Sequence, residues 1–81
     1  MSQEPAETYL SRVDPSQNMA RFYVLSIQPN LFGGSSLVRE WGRIGTRGQQ
    51  KIVLCDDIET AHRAKARLER SKRRRGYQTA S

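Results

Sequence analysis

The chain has 81 residues, of which 36% are apolar, and a net charge of +6 at pH 7; its mean hydropathy is −0.76. That length suits one domain with a thin core and leaves no room for a large enclosed active site. A single cysteine, Cys55, and a single histidine, His62, exclude an internal disulfide and offer no paired metal ligands, so an intracellular protein with no metal and no cofactor is expected.

The charge is uneven. Residues 1–20 carry a net −2, residues 21–57 a net +2 and residues 58–81 a net +6. Such a gradient favours a polyanionic partner, nucleic acid before an acidic membrane surface; the plain alternative is a solvated surface. Met1 to Leu10 is acidic and has no apolar run, so no signal peptide is expected. No stretch approaches the ~20 apolar residues of a membrane span.

Residues 1–6 read as a frayed tail and residues 7–78 as the folded domain. Thr8 to Val13 has short strand character and ends at the turn signal Asp14-Pro15-Ser16. Phe22 to Ile27 is the strongest strand. Tyr23, Leu25 and Ile27 share one face, and Phe22, Val24 and Ser26 the other, so this strand is expected at the centre of the sheet. Gln28-Pro29-Asn30 ends it. Leu31 to Ser35 reads as a loop pivoting on Gly33-Gly34, and Ser36 to Ile44 as the next strand.

Gly45-Thr46-Arg47-Gly48 turns the chain, and Gln50 to Cys55 follows as a strand with Ile52 and Leu54 on one face and Val53 on the other. Asp56 and Glu59 have the spacing of a capping box. In the helix that follows, Ile58, Ala61, Ala64 (or Lys65) and Leu68 form a narrow apolar stripe. Arg63, Arg67, Arg70 and Arg74 run down a neighbouring face. Gly76 is placed to stop the helix, after which Tyr77 can fold back; residues 79–81 read as a tail. The expected fold is α+β: a small antiparallel sheet of about four strands with one C-terminal helix packed across it.

Trp41-Gly42-Arg43-Ile44-Gly45, followed by Thr46-Arg47-Gly48-Gln49, is the most informative stretch. Strand alternation puts Trp41 and Arg43 on one face with Gly42 between them on the other. An aromatic plane beside a guanidinium, next to a turn with exposed N–H groups, suits a sugar-phosphate or a base. The stretch resembles the signature of the WGR domain, a module found in DNA-dependent poly(ADP-ribose) polymerases and in many bacterial proteins. Arg21-Phe22-Tyr23 resembles the strand that opens the WGR core, Gly48-Gln49 the pair after its turn, and Lys72 with Gly76-Tyr77 its Lys-x-x-x-Gly-Tyr end. The resemblance covers residues 7–78.

What the resemblance implies is a small antiparallel sheet under one helix and a role in DNA binding. In the polymerases the tryptophan packs against sugar at an exposed end, and nearby basic residues and asparagines hold the backbone. Trp41, Arg21 and Asn18 occupy the corresponding positions; Ala20 stands where some polymerases have a further asparagine. The signature arginine, here Arg43, also serves interdomain contacts in the polymerases. Nothing catalytic is implied, because the polymerase active site lies in another domain.

Each candidate has a structural alternative. Trp41 can be core as well as platform. Gly45 to Gly48 can be a plain hairpin turn; its Gly-x-x-Gly spacing matches the loop of KH domains, but that loop joins helices and both flanks here read as strands. Lys72-Arg73-Arg74-Arg75 can be a solvated helix end or an electrostatic tail that attracts phosphate. His62 reads as a surface helix residue and Cys55 as a small buried apolar one. Asp56 and Asp57 are adjacent, so their side chains diverge. Ser35-Ser36 has no identifiable base, and no Walker-type Gly-Lys-Ser/Thr occurs. A non-enzymatic module is therefore expected.

The expected surface comprises Asn18, Arg21, Arg39, Trp41, Gly42, Arg43, Arg47, Gly48, Gln49 and Lys51. The expected ligand is DNA backbone, ends or breaks, with DNA favoured over RNA. The alternatives are an RNA-binding domain and a protein-interaction module accessory to a DNA-processing enzyme. A monomer is expected, in the cytoplasm, at the nucleoid if the source is bacterial.

Overall fold

A computed structural model describes residues 7–30 and 33–79. The expected tail over residues 1–6, Leu31 and Phe32 of the expected loop, and the last two residues of the chain lie outside the described residues. Among the described residues the strands are β1 (Glu7–Asp14), β2 (Met19–Pro29), β3 (Ser35–Arg43), β4 (Gln49–Cys55) and β5 (Gln78–Thr79), with helix α1 (Ile58–Arg74) between β4 and β5. They form one antiparallel sheet in the order β4-β3-β2-β1-β5, so the architecture is the expected α+β.

The sheet has five strands rather than four because the chain end is used. Thr79, expected as the start of a tail, pairs with Leu10, and Gln78 pairs with Ser11. Two residues are too few for an apolar-polar rhythm to show in the sequence. β2 lies between β1 and β3, as its two apolar faces require, and it runs on through Gln28 to Pro29. Asp14 opens the β1–β2 connection by accepting from the Ser16 backbone N–H at 3.1 Å and its hydroxyl at 2.6 Å. Asn18 closes it in the left-handed region at φ 52°, which asparagine tolerates better than most side chains.

The register joins Tyr23 to Leu10 on one side and Trp41 on the other, and Leu25 to Thr8 and Arg39. α1 covers the face bearing Tyr23, Leu25 and Ile27. The core beneath it is Leu10, Tyr23, Leu25, Ile27, Leu37, Ala61 and Tyr77, with Val53, Ala64 and Leu68 partly buried against it. Each buried leucine contributes about 1.5–3 kcal/mol. Ala61 is fully buried, and its small side chain brings the helix close to the strands. One helix residue departs from the expected stripe. Ile58 is exposed, whereas Lys65 lies in the interface, donating to Thr8 Oγ1 at 2.7 Å and pairing with Glu69 at 3.2 Å.

The helix begins one residue later than the capping-box spacing suggests. Asp57, not Asp56, is the N-cap and accepts from the Thr60 backbone N–H at 2.7 Å. That bond satisfies one of the free donors of the first turn and holds the Asp57 carboxyl below its usual 3.8, chiefly through the Thr60 backbone. Cys55 is half-buried rather than fully buried.

The β3–β4 hairpin closes by contact between backbones. A Cβ on Gly42 would lie 2.7 Å from Gly48 Cα, and one on Gly48 would collide with the Trp41 carbonyl oxygen and lie 2.9 Å from Phe22 Cζ. Gly48 also sits at φ +72°. The ring of Phe22 lies under this turn on the face away from α1, with Tyr9 stacked beside it at 6.3 Å.

Two stability outcomes follow. Gly48→Ala should cost at least ~1–3 kcal/mol, through the left-handed backbone and the clash with Trp41, and thermal melts read this directly. Asp57→Ala should lower the melting temperature and Asp56→Ala should lower it less. Because the folded-state pKa of Asp57 is depressed, its contribution is present above about 3.8 and is lost as pH falls through the folded value; the gap between wild type and Asp57→Ala should close in that acid range.

Candidate nucleic-acid interface

Strand alternation puts Arg21, Tyr23, Arg39, Trp41, Arg43, Gln49 and Lys51 on the face that α1 covers. The helix is too short to cover all of it. Its last turn ends at Arg74, where Arg75 N and Tyr77 N donate to the Lys72 carbonyl and Gly76 N donates to that of Arg73. Tyr77 then turns back into the core, edge-on to Tyr23 at 6.4 Å. Beyond this point the ends of β2 and β3 lie open. The result is a cleft of about 520 Å³ lined by Arg21, Phe22, Tyr23, Trp41, Gly42, Arg43, Lys72 and Tyr77.

Tyr23 organises the wall. It is 2% exposed, and its hydroxyl accepts from Arg39 Nε at 2.7 Å. Trp41 stacks on it at 6.0 Å with 20° between the planes. The Arg39 guanidinium lies 5.5 Å from the Trp41 ring centre. Lys72 Nζ stands 4.4 Å from the Tyr23 ring centre and 5.6 Å from that of Tyr77. Such contacts between a cation and an aromatic face are worth about 0.5–2 kcal/mol, depending on desolvation. Trp41 is thus both core and surface: it packs against the buried cluster and lines the cleft.

The cations have no carboxylate partner. Among the described residues the one ion pair is Lys65–Glu69, which lies against Thr8 of β1 and not in the cleft. Lys72 is held below its usual 10.5, first by partial burial and then by the charges of Arg75, Arg39 and Arg21. Like charges gathered on one partly dry surface destabilise the free protein, and an arriving anion relieves that repulsion. Arg43 is steadied by Asn18, donating to its carbonyl oxygen at 3.4 Å and to Oδ1 at 3.5 Å.

The other expected residues fall into three groups. Gln49 pairs with Trp41 and Lys51 with Arg39 across β3–β4, both exposed at the edge of the same face. Gly42 and Gly48 act through backbone contact, and Arg47 is exposed in the turn outside the cleft lining. Lys72, expected in an electrostatic tail, stands in the cleft, whereas Arg73 and Arg74 are exposed in the last helical turn and Arg75 caps it. Neither Tyr23 nor Tyr77 is among the expected surface residues, yet both wall the cleft. The Lys-x-x-x-Gly-Tyr spacing was the signal for Tyr77, because it returns that ring to the sheet beside Lys72.

Comparison with known proteins identifies the family. The family model for the WGR domain matches residues 6–81. An uncharacterised protein of Sinorhizobium fredii (strain NBRC 101917 / NGR234), y4dW, is 51% identical over 77 residues, covering 95% of this chain and 38% of the relative. The chain therefore spans well under half the length of that relative. No solved structure matches. Among the described residues no group of His, Cys, Asp and Glu could hold a metal ion, and no helix is long and apolar enough to cross a membrane.

A bound phosphate near Lys72 favours its charged form, so binding should take up protons. Affinity should fall as pH rises through the lowered pKa of the free protein, below 10.5. Titrations of a DNA duplex over a rising pH series kept below 10.5 should show this fall in wild type and a flatter profile in Lys72→Met, which keeps an unbranched apolar stem on the two tyrosines.

Proposed function

The chain belongs to the WGR domain family, and from that membership together with the cleft we propose that it is a non-enzymatic module binding the sugar-phosphate backbone of DNA, with ends or breaks preferred. The observation that carries the reading is the gathering of Arg21, Arg39, Arg43 and Lys72 around Trp41 and Tyr23 with no carboxylate partner. Guanidinium forks suit phosphate oxygens, and the tryptophan ring suits a sugar or an unstacked base.

Attraction begins at long range with the exposed cations of α1 and Arg73 to Arg75, which salt screens. Short-range contacts follow at the sheet. Arg21, Arg39 and Arg43 extend from paired strands, so fixing them costs less entropy than fixing a mobile tail. Contacts of this kind position a protein on backbone and carry little base-sequence information. Asn18 serves by orienting Arg43; Arg47, Gln49 and Lys51 extend the surface along the hairpin. Residence in the cytoplasm, at the nucleoid of a bacterium, fits this reading.

A protein-interaction role has one observation in its favour: Ile52 and Leu54 are 54% and 72% exposed on the outer face of β4. Pull-down after nuclease treatment separates that role from nucleic-acid binding.

The direct test is titration of the intact chain with blunt, nicked and closed circular duplexes, and with matched RNA. With four to six phosphate contacts, log K should fall against log salt with a slope of roughly −4 to −5. Trp41→Ala should weaken binding by ~1–3 kcal/mol, and melts must accompany it because the ring also packs on the core. Trp41→Phe keeps most of the apolar volume. Salt-independent binding, or unchanged affinity in both folded variants, would remove this site.

A further inference from the structure

We propose that Arg12 is a further phosphate-binding residue, and that the cross-strand row Arg12–Arg21–Arg43 tracks the phosphodiester backbone of one nucleic-acid strand from the Trp41 cleft to a second hollow at the β1–β5 edge. This rests on the nucleic-acid reading above and states where the strand runs.

The register carries the argument. Arg12 is directly opposite Arg21, and Arg21 is directly opposite Arg43. Three arginines therefore stand side by side on three adjacent strands, on one face. Like charges directly opposite each other destabilise a sheet, and core packing asks for no charge in this row, because it lies beyond the helix end. With neighbouring strands about 4.8 Å apart, the row spans about 10 Å. Successive phosphates of a duplex strand rise about 3.4 Å each along the axis and also wind around it, so they lie farther apart than that along the strand, and a row of about 10 Å faces two or three of them.

The far end of the row has its own receptacle. A hollow of about 270 Å³ is lined by Ser11, Arg12, Val13, Gly76, Gln78 and Thr79. Thr79 pairs with Leu10 and so shares the face of Arg12, where its hydroxyl and the guanidinium are both donors suited to phosphate oxygens, while Ser11 and Gln78, paired with each other, lie on the opposite face at the rim. The acid closest in sequence, Asp14, accepts from Ser16 through Oδ1 and feels the Arg12 charge, which helps to lower its pKa, but the two make no ion pair within 4 Å. Gly76 keeps the approach open: at φ +96°, a Cβ there would lie 3.1 Å from Arg12 Nε and 3.5 Å from its Cδ. The glycine at the helix stop thus lets the guanidinium pass close to the backbone, between the helix end and the hollow.

A purely structural account competes. A cation beside the C-terminus of α1 also suits the helix dipole, and then Arg12 would matter to stability alone. The two accounts separate in one experiment on the intact chain. Wild type, Arg12→Gln and Arg12→Lys are titrated with a fluorescent duplex and a single strand over a salt series, with thermal melts of each. Arg12→Gln should lose roughly fivefold or more in affinity near physiological salt, and its salt slope should be shallower by about 1. Arg12→Lys should keep the slope and lose part of the affinity, because a point charge replaces the fork.

Unchanged affinity and slope in a folded Arg12→Gln protein would overturn the proposal while leaving the Trp41 cleft standing. An affinity loss with an unchanged slope would also overturn it, since Arg12 would then act without touching phosphate. Should Arg12→Gln not fold, Arg12→Lys and Thr79→Val carry the test, and wild-type affinity and slope in both would count against the track. A wild type that binds neither nucleic acid would sink the underlying reading itself.

Discussion

The site depends on the ring of Tyr23. It is almost wholly buried, yet its hydroxyl is polar, and burial without a partner would cost about 1–3 kcal/mol. Arg39 supplies that partner at 2.7 Å, and its guanidinium is thereby held beside Trp41. The same ring receives Trp41 on β3, Tyr77 after the helix and Lys72 from its last turn. One side chain on the central strand thus ties three separate parts of the chain into a single wall. Core packing and ligand surface meet at its two ends, so neither can be altered without the other.

Stability and charge pull against each other around that wall. The helix covers the apolar half of the sheet face, where Leu10, Leu25, Ile27 and Leu37 supply most of the burial. The other half holds cations facing cations, and partial burial already disfavours the charge on Lys72. The fold sustains this because the repulsion lies at the open end of the sheet, where water still screens it. Asn18 and the Tyr23 hydroxyl fix two of the guanidinia by hydrogen bonds that leave their positive charge intact. Fixing the groups without neutralising them prepares the surface for an anion.

Much of this was legible in the chain itself. Apolar alternation in β2 marks a central strand, and Trp41-Gly42-Arg43 announces its own face by period two. The density of glycines around it reflects backbone contact between Gly42 and Gly48. What the sequence conceals is anything that depends on register. That Arg12, Arg21 and Arg43 share a row follows from a pairing no local pattern specifies. β5 is too short to carry a pattern, and it is seen only because Leu10 and Ser11 receive it. Two adjacent acids offer the same capping chemistry at the same spacing, and only the start of α1 at Ile58, with Thr60 N donating to Asp57, distinguishes Asp57 from Asp56. Lys72 looked like part of a basic run until the helix length placed it over Tyr23.

Recognition by such a surface is bounded by its shape. Backbone phosphates are common to every duplex, so a row of arginines alone would bind intact and broken DNA alike. Trp41 changes that balance. Its ring is stacked on Tyr23 at one side and lines the cleft at the other. In a continuous duplex every base is stacked between neighbours, and no aromatic face is available to it. At an end or a nick the last sugar and base lose one neighbour, and an apolar ring can replace it at little cost in unstacking. In the proposed mode of binding the arginines set where the strand lies, and the tryptophan sets where along the strand the protein stops. On the reading proposed above, a preference for discontinuities follows from combining one recessed aromatic ring with a charged track, and requires no contact with base edges.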